Sequence, residues 1–178
     1  MQNLKELIEN NIIVVVDLET TGLNNSGEEI DHIIQVSAVK IIKGKTPERF
    51  YSFVACPIKL PVEVSNLTGI TDERLAQAQP IGEVLKKFYK FAEGCILIAH
   101  NMPFYYAFLK YYSEKERLQF DNQCFDLVDF AKEVLGEQVK NYRLVTLSHF
   151  FDIEPILRVL GEAEATAKIL LELANFYW

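Results

Sequence analysis

The chain has few cysteines, no long apolar run and no excess of positive charge. Three cysteines in 178 residues, with no CxxC spacing, argue against a zinc site or a disulfide framework and favour reduced thiols. No apolar run approaches the ~18 residues that a membrane span needs, so we expect no membrane contact. The amino-terminal segment carries Lys5, Glu6 and Glu9 and does not match a secretory signal peptide, so we expect a cytoplasmic protein.

The charge balance is acidic, with 18 basic and 25 acidic residues and a net charge of −7. No overall basic field therefore draws this chain onto nucleic acid, and any such contact has to be local, through a cleft or a metal ion. A composition of 49% hydrophobic and 12% aromatic residues excludes a disordered or fibrous protein. At ~100–200 residues per domain, the length predicts one domain over residues 1–178.

The first third of the chain predicts a three-stranded meander. Residues 12–16 are an unbroken β-branched run that ends at Asp17, which is typical of a buried central strand. Residues 32–42 and 49–56 are two further strand patterns, joined by a turn at residues 43–45. A loop with two glycines, residues 20–29, separates the first two strands.

The remainder alternates helices and short strands. Apolar side chains recur on one helical face over residues 81–91. Two short strands are predicted at residues 95–99 and 123–125, and further helices at 101–115, 126–135, 144–151 and 156–175. This order predicts an α/β fold with a mixed five-stranded sheet, the first three strands antiparallel and helices on both faces, as in ribonuclease-H-like proteins.

Two carboxylates mark the end of the first predicted strand. Asp17 and Glu19 are two residues apart, so in an extended chain they point the same way and can bind one hard cation. An isolated pair of this kind is at least as often a turn-capping aspartate and a solvated glutamate. The residues around it decide between these interpretations.

The string DLETTG at residues 17–22 resembles the first motif of the DEDD exonucleases, specifically the DnaQ-like, proofreading 3′–5′ exonucleases of the DNA polymerase III epsilon-subunit type. The resemblance continues through LTGIT at 67–71, AHNMPF at 99–104 and EAEATAKIL from Glu162, in the family's order over nearly the whole chain. It implies phosphodiester hydrolysis at nucleic-acid 3′ ends by two magnesium or manganese ions. It also implies four acidic ligands and a histidine general base.

Asp17 and Glu19 match the family, and the other three catalytic positions do not. The resemblance puts Tyr105 where the family has its second-motif aspartate, Leu157 at the histidine position and Glu162 at the last aspartate position. A phenol is neutral at pH 7 and a poor magnesium ligand, and leucine accepts no proton. The longer Glu162 displaces its carboxylate by on the order of an ångström.

From these departures we expect a metal set of Asp17, Glu19 and Glu162 with weak or partial occupancy by magnesium or manganese. Glu162 should approach the Asp17 carboxylate to about 5–6 Å, where acidic groups raise one another's pKa. Leu157 should join apolar neighbours near the cleft mouth. Activity should be severely reduced or absent, since loss of a general base alone typically costs ~10²–10⁴ in rate.

A substitute base is not evident among the remaining side chains. The resemblance gives His100 a structural role beside a helix-capping Asn101. His149 lies eight residues before Leu157, His32 and His100 belong to other elements, and Arg158 stands where a related branch of the superfamily has tyrosine.

Three further residues predict helix ends with no role in chemistry. In the LTGIT segment, Gly69 should end one helix and Thr71 should cap the next. Asp126 should cap the helix that follows the last short strand.

The loop after the carboxylates is the candidate nucleotide-binding segment. The resemblance gives Thr20, Thr21, Gly22 and Leu23 the role of a cradle for the 3′-terminal nucleotide, with an apolar wedge. A plain turn before the second strand explains the same residues equally well. The aromatic side chains at 104–112 favour a core-packing role over base stacking by spacing alone.

Three functions remain open from the sequence. One is a working or residual 3′–5′ exonuclease on single strands, with DNA preferred over RNA. The second is an inactive pseudo-exonuclease that binds nucleic acid or serves as a scaffold for a polymerase or helicase. The third is a haloacid-dehalogenase-type phosphatase with Asp17 as the nucleophile, which the following meander and the Glu at the second position argue against.

Overall fold

The sheet is mixed and has five strands in the order β3-β2-β1-β4-β5. In the computed structural model, which describes residues 4–27, 29–154 and 161–176, the strands are β1 Ile12–Thr20, β2 Ile33–Ile42, β3 Lys45–Phe53, β4 Ile96–Ala99 and β5 Cys124–Asp126. β2 pairs antiparallel with both β1 and β3, whereas β4 runs parallel to β1 and β5. The predicted meander with the carboxylate-bearing strand at the centre is confirmed.

The helices cover both faces of this sheet. Their bounds are α1 Leu4–Asn10, α2 Val62–Thr68, α3 Asp72–Leu75, α4 Ile81–Phe91, α5 Met102–Lys115, α6 Leu127–Leu135, α7 Leu144–Phe150 and α8 Gly161–Asn175, with a 3-10 turn at Gly136–Gln138. The predicted start of the last helix at residue 156 lies outside the described residues. No described helix is both long and apolar enough to cross a membrane.

The β-branched run of β1 is buried because helices pack against both sides of it. Val14 and Val16 face the layer that contains Phe88 and Phe108. The alternate residues of β1 face a second layer formed by α1, α6 and α8. A strand covered on both faces needs apolar residues at successive positions, and the whole segment from residue 13 to residue 18 is buried.

β1 is longer than predicted, and this places the carboxylates inside the sheet. Its pairing with β2 continues past Asp17 to Thr20, with an irregularity between Glu19 and Thr20. The strand therefore extends past the apolar run that ends at Asp17, because the antiparallel partner continues the pairing, and both carboxylates lie on the central strand as predicted. β3 also begins earlier than predicted, since Lys43 and Gly44 both have positive φ and form a tight hairpin turn.

The LTGIT segment joins two short helices at the edge of the cleft. Gly69 has a φ of 71° and ends α2, and the Thr71 side chain accepts a hydrogen bond from the Arg74 backbone N–H at the start of α3. Both predicted caps are thus present, since glycine adopts the left-handed conformation without strain and threonine is a favoured N-cap. The two caps hold residues 66–71 against the end of the sheet.

Candidate active site

The predicted acidic residues line one cavity of about 620 Å³ at the carboxyl end of β1. Its other walls come from Gln35 on β2, Phe53 on β3, Arg74 on α3, Gly161 at the start of α8 and residues 66–71. The structure therefore brings Asp17, Glu19 and Glu162 to a common cavity, as the sequence predicted. Leu157 lies outside the described residues, and its predicted position stays untested.

Asp17 is buried and bonded to two hydroxyl groups. Its Oδ1 accepts a hydrogen bond of 2.8 Å from the phenol of Tyr105, and its Oδ2 accepts one of 3.5 Å from Ser37. Tyr105 is itself buried, because α5 packs its aromatic side chains against the sheet. A hydroxyl donor thus contacts Asp17 from the position where the resemblance expects a fourth carboxylate.

The three carboxylates strongly affect one another. Burial, followed by the charge of Glu162, raises the pKa of Asp17 to about 7, while the hydrogen bonds from Tyr105 and Ser37 oppose this shift. Burial and then the charges of Asp17 and Glu162 raise the pKa of Glu19 to about 8. These repulsions agree with the expected proximity of Glu162 to Asp17, and the distance of about 5–6 Å stays a prediction.

Tyr105 stays a phenol at neutral pH. Burial first, and then the charge of Asp17, raise its pKa well above the usual value near 10. A neutral hydroxyl donates to a carboxylate and offers a cation no charge. The residue therefore stabilises Asp17 in a way that does not depend on a metal ion.

A two-metal centre does not fit the donor set in this cavity. Within the described part of the chain, no three Asp, Glu, His or Cys side chains are grouped closely enough to hold an ion. One oxygen of Asp17 already accepts from Tyr105, and two divalent ions need several charged oxygen ligands to offset their mutual repulsion. The predicted set of Asp17, Glu19 and Glu162 remains a prediction for one weakly held ion.

None of the three histidines contacts these carboxylates through a hydrogen bond in the described structure. His32 Nδ1 lies 3.1 Å from the Tyr112 hydroxyl, and His100 Nε2 lies 2.8 Å from the Tyr142 carbonyl oxygen. His149 is exposed in the last turn of α7. The contact of His100 with Tyr142, on the segment before α7, agrees with the structural role expected for this histidine.

Asn101 occupies the N-cap position of α5, as predicted, but it does not cap the helix with its side chain. Asn101 has a φ of 72° at the start of α5, and its side chain makes no capping hydrogen bond. Instead, Asp126 Oδ1 accepts from the Asn101 backbone N–H at 3.0 Å and from Val128 N–H at 2.9 Å. The sequence predicted only the second bond, because the first joins two elements that are 25 residues apart.

The candidate nucleotide-binding loop is ordered by its own hydrogen bonds. The Thr20 hydroxyl donates to the Gly22 carbonyl oxygen at 2.6 Å, which closes a tight turn after β1. Thr21 is buried, and its hydroxyl accepts from the His32 backbone N–H at 2.9 Å. Leu23 is 84% exposed, as an apolar wedge requires.

Asp31 fixes this loop from the opposite side, and no motif or spacing in the sequence pointed to it. Its Oδ1 accepts from the Thr21 hydroxyl at 3.3 Å and its Oδ2 from the Asn24 N–H at 2.7 Å. A Cβ added at Gly22 would lie 2.5 Å from Asp31 Oδ2, so a larger residue there would displace the Asp31 carboxylate. The four predicted loop residues therefore form one bonded unit, and their contact with a nucleotide stays a prediction.

The helical edge of the cavity was also missed as a functional region. Arg74 lies 5.0 Å from the centre of the Phe53 ring, and Leu67 is 86% exposed at the cavity edge. The register of the meander places Glu19, Gln35 and Phe53 in one row across three strands. A correct hairpin register would have shown this row, since the turn fixes it.

Comparison with known protein families supports these observations at the level of the whole chain. A family model described as exonuclease matches residues 14–170. A DNA polymerase III PolC-type protein of Caldanaerobacter subterraneus is 38% identical over 162 residues, which are 90% of this chain and 11% of the relative. A DNA polymerase III subunit epsilon-like protein of Rhodobacter capsulatus is 38% identical over 90% of this chain and 23% of its own length. The chain thus spans only a small part of these relatives.

Solved structures share the fold at lower identity. Exonuclease X in complex with 5′ overhanging duplex DNA has a TM-score of 0.70 and 20% identity over 93% of both chains. Cell-death related nuclease 4 has a TM-score of 0.78 and 14% identity over 94% of this chain and 64% of its own. Escherichia coli exonuclease I in complex with a dT13 oligonucleotide has a TM-score of 0.75 and 16% identity over 90% of this chain and 40% of its own. These likenesses confirm the ribonuclease-H-like fold.

Proposed function

The chain belongs to the exonuclease family, and on that premise we propose that residues 1–178 form a single domain that binds the 3′ ends of single-stranded nucleic acid. Its phosphodiester hydrolysis is severely reduced or absent. The observation that carries this proposal is the 2.8 Å hydrogen bond from the Tyr105 phenol to Asp17. A neutral donor at this point removes a ligand charge on which two-metal hydrolysis depends.

The electrostatics of the cavity support reduced chemistry. Asp17 and Glu19 have pKa values raised to about 7 and about 8, so both carry a proton for part of the time at neutral pH. A protonated carboxyl is a weak ligand for a hard cation. Asp17, Glu19 and Glu162 therefore bind at most one magnesium or manganese ion weakly, and the leucine at position 157 offers no general base.

The binding part of the proposal rests on the loop and the open cavity. Thr20, Thr21 and Gly22 keep a conformation that is hydrogen-bonded within the chain, and Leu23, which follows them directly, is exposed. The cavity of about 620 Å³ offers space for a nucleotide-sized group. These features do not require hydrolysis.

The names of the relatives favour DNA over RNA as the ligand and replication as the setting. The matched PolC-type proteins are DNA polymerases by name, and one solved neighbour holds duplex DNA and another dT13. A cytoplasmic location is part of the same proposal. The chain corresponds to only 11% of a PolC-type polymerase. The second candidate function is therefore a scaffold that binds a polymerase or a helicase.

The test combines binding and cleavage on one substrate. A 3′-labelled single-stranded DNA oligonucleotide is incubated with the protein in EDTA for fluorescence anisotropy, and in magnesium or manganese for gel analysis. We expect saturable binding and no shortening on the timescale of typical turnover, ~1–10³ s⁻¹. Shortening at such rates that Asp17→Ala abolishes would contradict the loss of activity. Absence of any binding would overturn the nucleic-acid role and leave the scaffold role.

A further inference from the structure

We propose that Arg74, held on the ring of Phe53, binds a backbone phosphate of the single strand next to the nucleotide at the carboxylates. This inference rests on the proposed function, because it assigns a second contact to the same ligand. It concerns a lining residue on α3, outside the DLETTG, AHNMPF and EAEATAKIL motifs.

The charge distribution in the cavity is uneven. Asp17, Glu19 and Glu162 line the cavity from β1 and α8. Arg74, over the Phe53 ring on β3, is the cationic side chain among the described lining residues. A phosphate is repelled by the carboxylates and attracted by the guanidinium. The strand backbone is therefore bound best at Arg74, whether or not an ion is bound at the carboxylates.

The distance between Glu19 and Phe53 fits a neighbouring nucleotide. Glu19, Gln35 and Phe53 are register partners on β1, β2 and β3, and two strand spacings amount to roughly 10 Å. The Arg74 guanidinium lies over the Phe53 ring, 5.0 Å from its centre. It therefore contacts a different phosphate from the one that faces the carboxylates.

The local packing positions Arg74 before any ligand is bound. The Thr71 cap fixes the start of α3, and the face of Phe53 holds the guanidinium at 5.0 Å by a cation–π contact. Tyr51 contacts Phe53 edge-on at 5.0 Å, and the charge of Arg74 lowers the pKa of Tyr51 against the larger effect of burial. The planar group thus keeps its orientation, with N–H donors available to phosphate oxygens.

Arg49 provides a comparison on the same sheet face. It lies two residues before Tyr51 on β3, and its Nε donates to Glu164 at 2.6 Å. Among the described residues Arg74 forms no ion pair with a carboxylate, and it is exposed. Arg49 is therefore paired with Glu164, whereas the guanidinium of Arg74 is available to an anion.

The experiment measures the affinity of a 3′-labelled dT oligonucleotide in EDTA over a series of salt concentrations. Arg74→Gln should weaken binding about tenfold at low salt, because a charge-assisted hydrogen bond is lost. The slope of log K against log salt should fall by about 0.7, the value for one phosphate contact on a single strand. Arg74→Lys should restore the slope and part of the affinity.

Arg49→Gln is the matched control, since it removes one positive charge from the same face. It should leave the salt slope unchanged. Thermal unfolding of each variant shows that the fold is intact. An unchanged slope in Arg74→Gln, or an equal fall in Arg49→Gln, would overturn the subsite while leaving the proposed function in place. Absence of binding by the unmodified protein would overturn both.

Discussion

The β1 side of the candidate site and the side formed by α5 and α8 differ in how closely they match the exonuclease motifs. β1 and its loop supply Asp17, Glu19 and residues 20–23 as the family pattern requires. α5 and α8 supply Tyr105 and Glu162 where that pattern has aspartates. The proposed surface for a strand end and the proposed ligands for hydrolysis thus belong to different elements, so one can change without the other.

The two sides also depend on different forces. The loop is held by neutral and backbone hydrogen bonds around Thr21 and by the carboxylate of Asp31, none of which needs a cation. The carboxylates at the end of β1 repel Glu162, and partial protonation together with the Tyr105 hydrogen bond offsets this repulsion. The loop proposed to bind a strand end is therefore held by contacts that do not depend on the carboxylate cluster.

The largest expected effect comes from restoring the family's residues at positions 105, 157 and 162. The triple variant Tyr105→Asp, Leu157→His, Glu162→Asp supplies the missing charge, base and side-chain length together. We expect its rate on 3′-labelled single-stranded DNA in manganese to exceed that of the unmodified protein by roughly 100-fold or more, because a general base alone contributes ~10²–10⁴. The gain should appear in kcat, since binding uses the unchanged loop.

The single variants serve as controls for that experiment. Each should recover little, because the members of one catalytic unit are strongly non-additive. A triple variant that folds and binds the oligonucleotide but remains inactive would contradict this account. The loss of hydrolytic activity would then have a cause outside positions 105, 157 and 162.

The second effect concerns stability against pH. Asp17 has a folded pKa of about 7 against 3.8 unfolded, and Glu19 about 8 against 4.5. Raised pKa values stabilise the folded state at low pH. This stability is lost progressively from about pH 4, where the unfolded chain ionises, up to about pH 7–8, where the folded carboxyls ionise. For Asp17 alone the change is roughly 4 kcal/mol across the full range.

The measurement is calorimetric unfolding in EDTA from pH 5 to pH 9, with Asp17→Asn for comparison. The melting temperature of the unmodified protein should fall with pH, and the variant should show a much flatter profile because a side-chain amide does not titrate. A melting temperature that rises over this range in the unmodified protein would contradict the repulsion between the three carboxylates.

The third effect concerns the loop at residues 20–24, which Asp31 supports. Asp31→Ala removes the acceptor of the Thr21 hydroxyl and of the Asn24 N–H, and should cost about 1–2 kcal/mol of stability. Hydrogen exchange at the Asn24 amide should accelerate, and oligonucleotide affinity should decrease. Asp121→Ala is the control, because that carboxylate is exposed and accepts from Gln119 on a different surface. An unchanged Asn24 exchange rate would show that the loop is held by other contacts.

The smallest effect isolates a single hydroxyl group. Tyr105→Phe keeps the ring and removes the hydrogen bond to Asp17, so the pKa of Asp17 should rise further, because that bond favours the ionised form. The stability at pH 9 should fall by about 1 kcal/mol. Carboxyl-detected NMR titration measures the pKa directly, with Tyr106→Phe on the exposed face of α5 as the control. A lower pKa of Asp17 in the Tyr105 variant would refute this account.

The sequence predicted what depends on local pattern. The β-branched run of β1, the amphipathic pattern of α4 and the caps at Gly69 and Thr71 all follow from nearest neighbours and side-chain period. The motif order placed Asp17, Glu19 and Glu162 in one cavity. These features persist because each element is specified by its own residues.

The parts that escaped prediction depend on contacts between distant segments. Asp31 supports the loop through hydrogen bonds seven and ten residues away, and Asp126 bonds to the Asn101 backbone across 25 residues. The orientation of Arg74 over Phe53 depends on how α3 packs on β3. No periodicity in the sequence encodes such pairs, so only the folded chain shows them.

The central claim is that Tyr105 and Asp17 now form a hydrogen-bonded pair in place of a two-metal centre. The most direct measurement is the number of manganese ions bound per chain, by calorimetry or electron paramagnetic resonance, with the Tyr105→Asp, Leu157→His, Glu162→Asp variant alongside. We predict at most one weakly bound ion in the unmodified protein, lost in Asp17→Ala, and a second ion in the variant. Two tightly bound ions in the unmodified protein, both lost in Asp17→Ala, would contradict the claim.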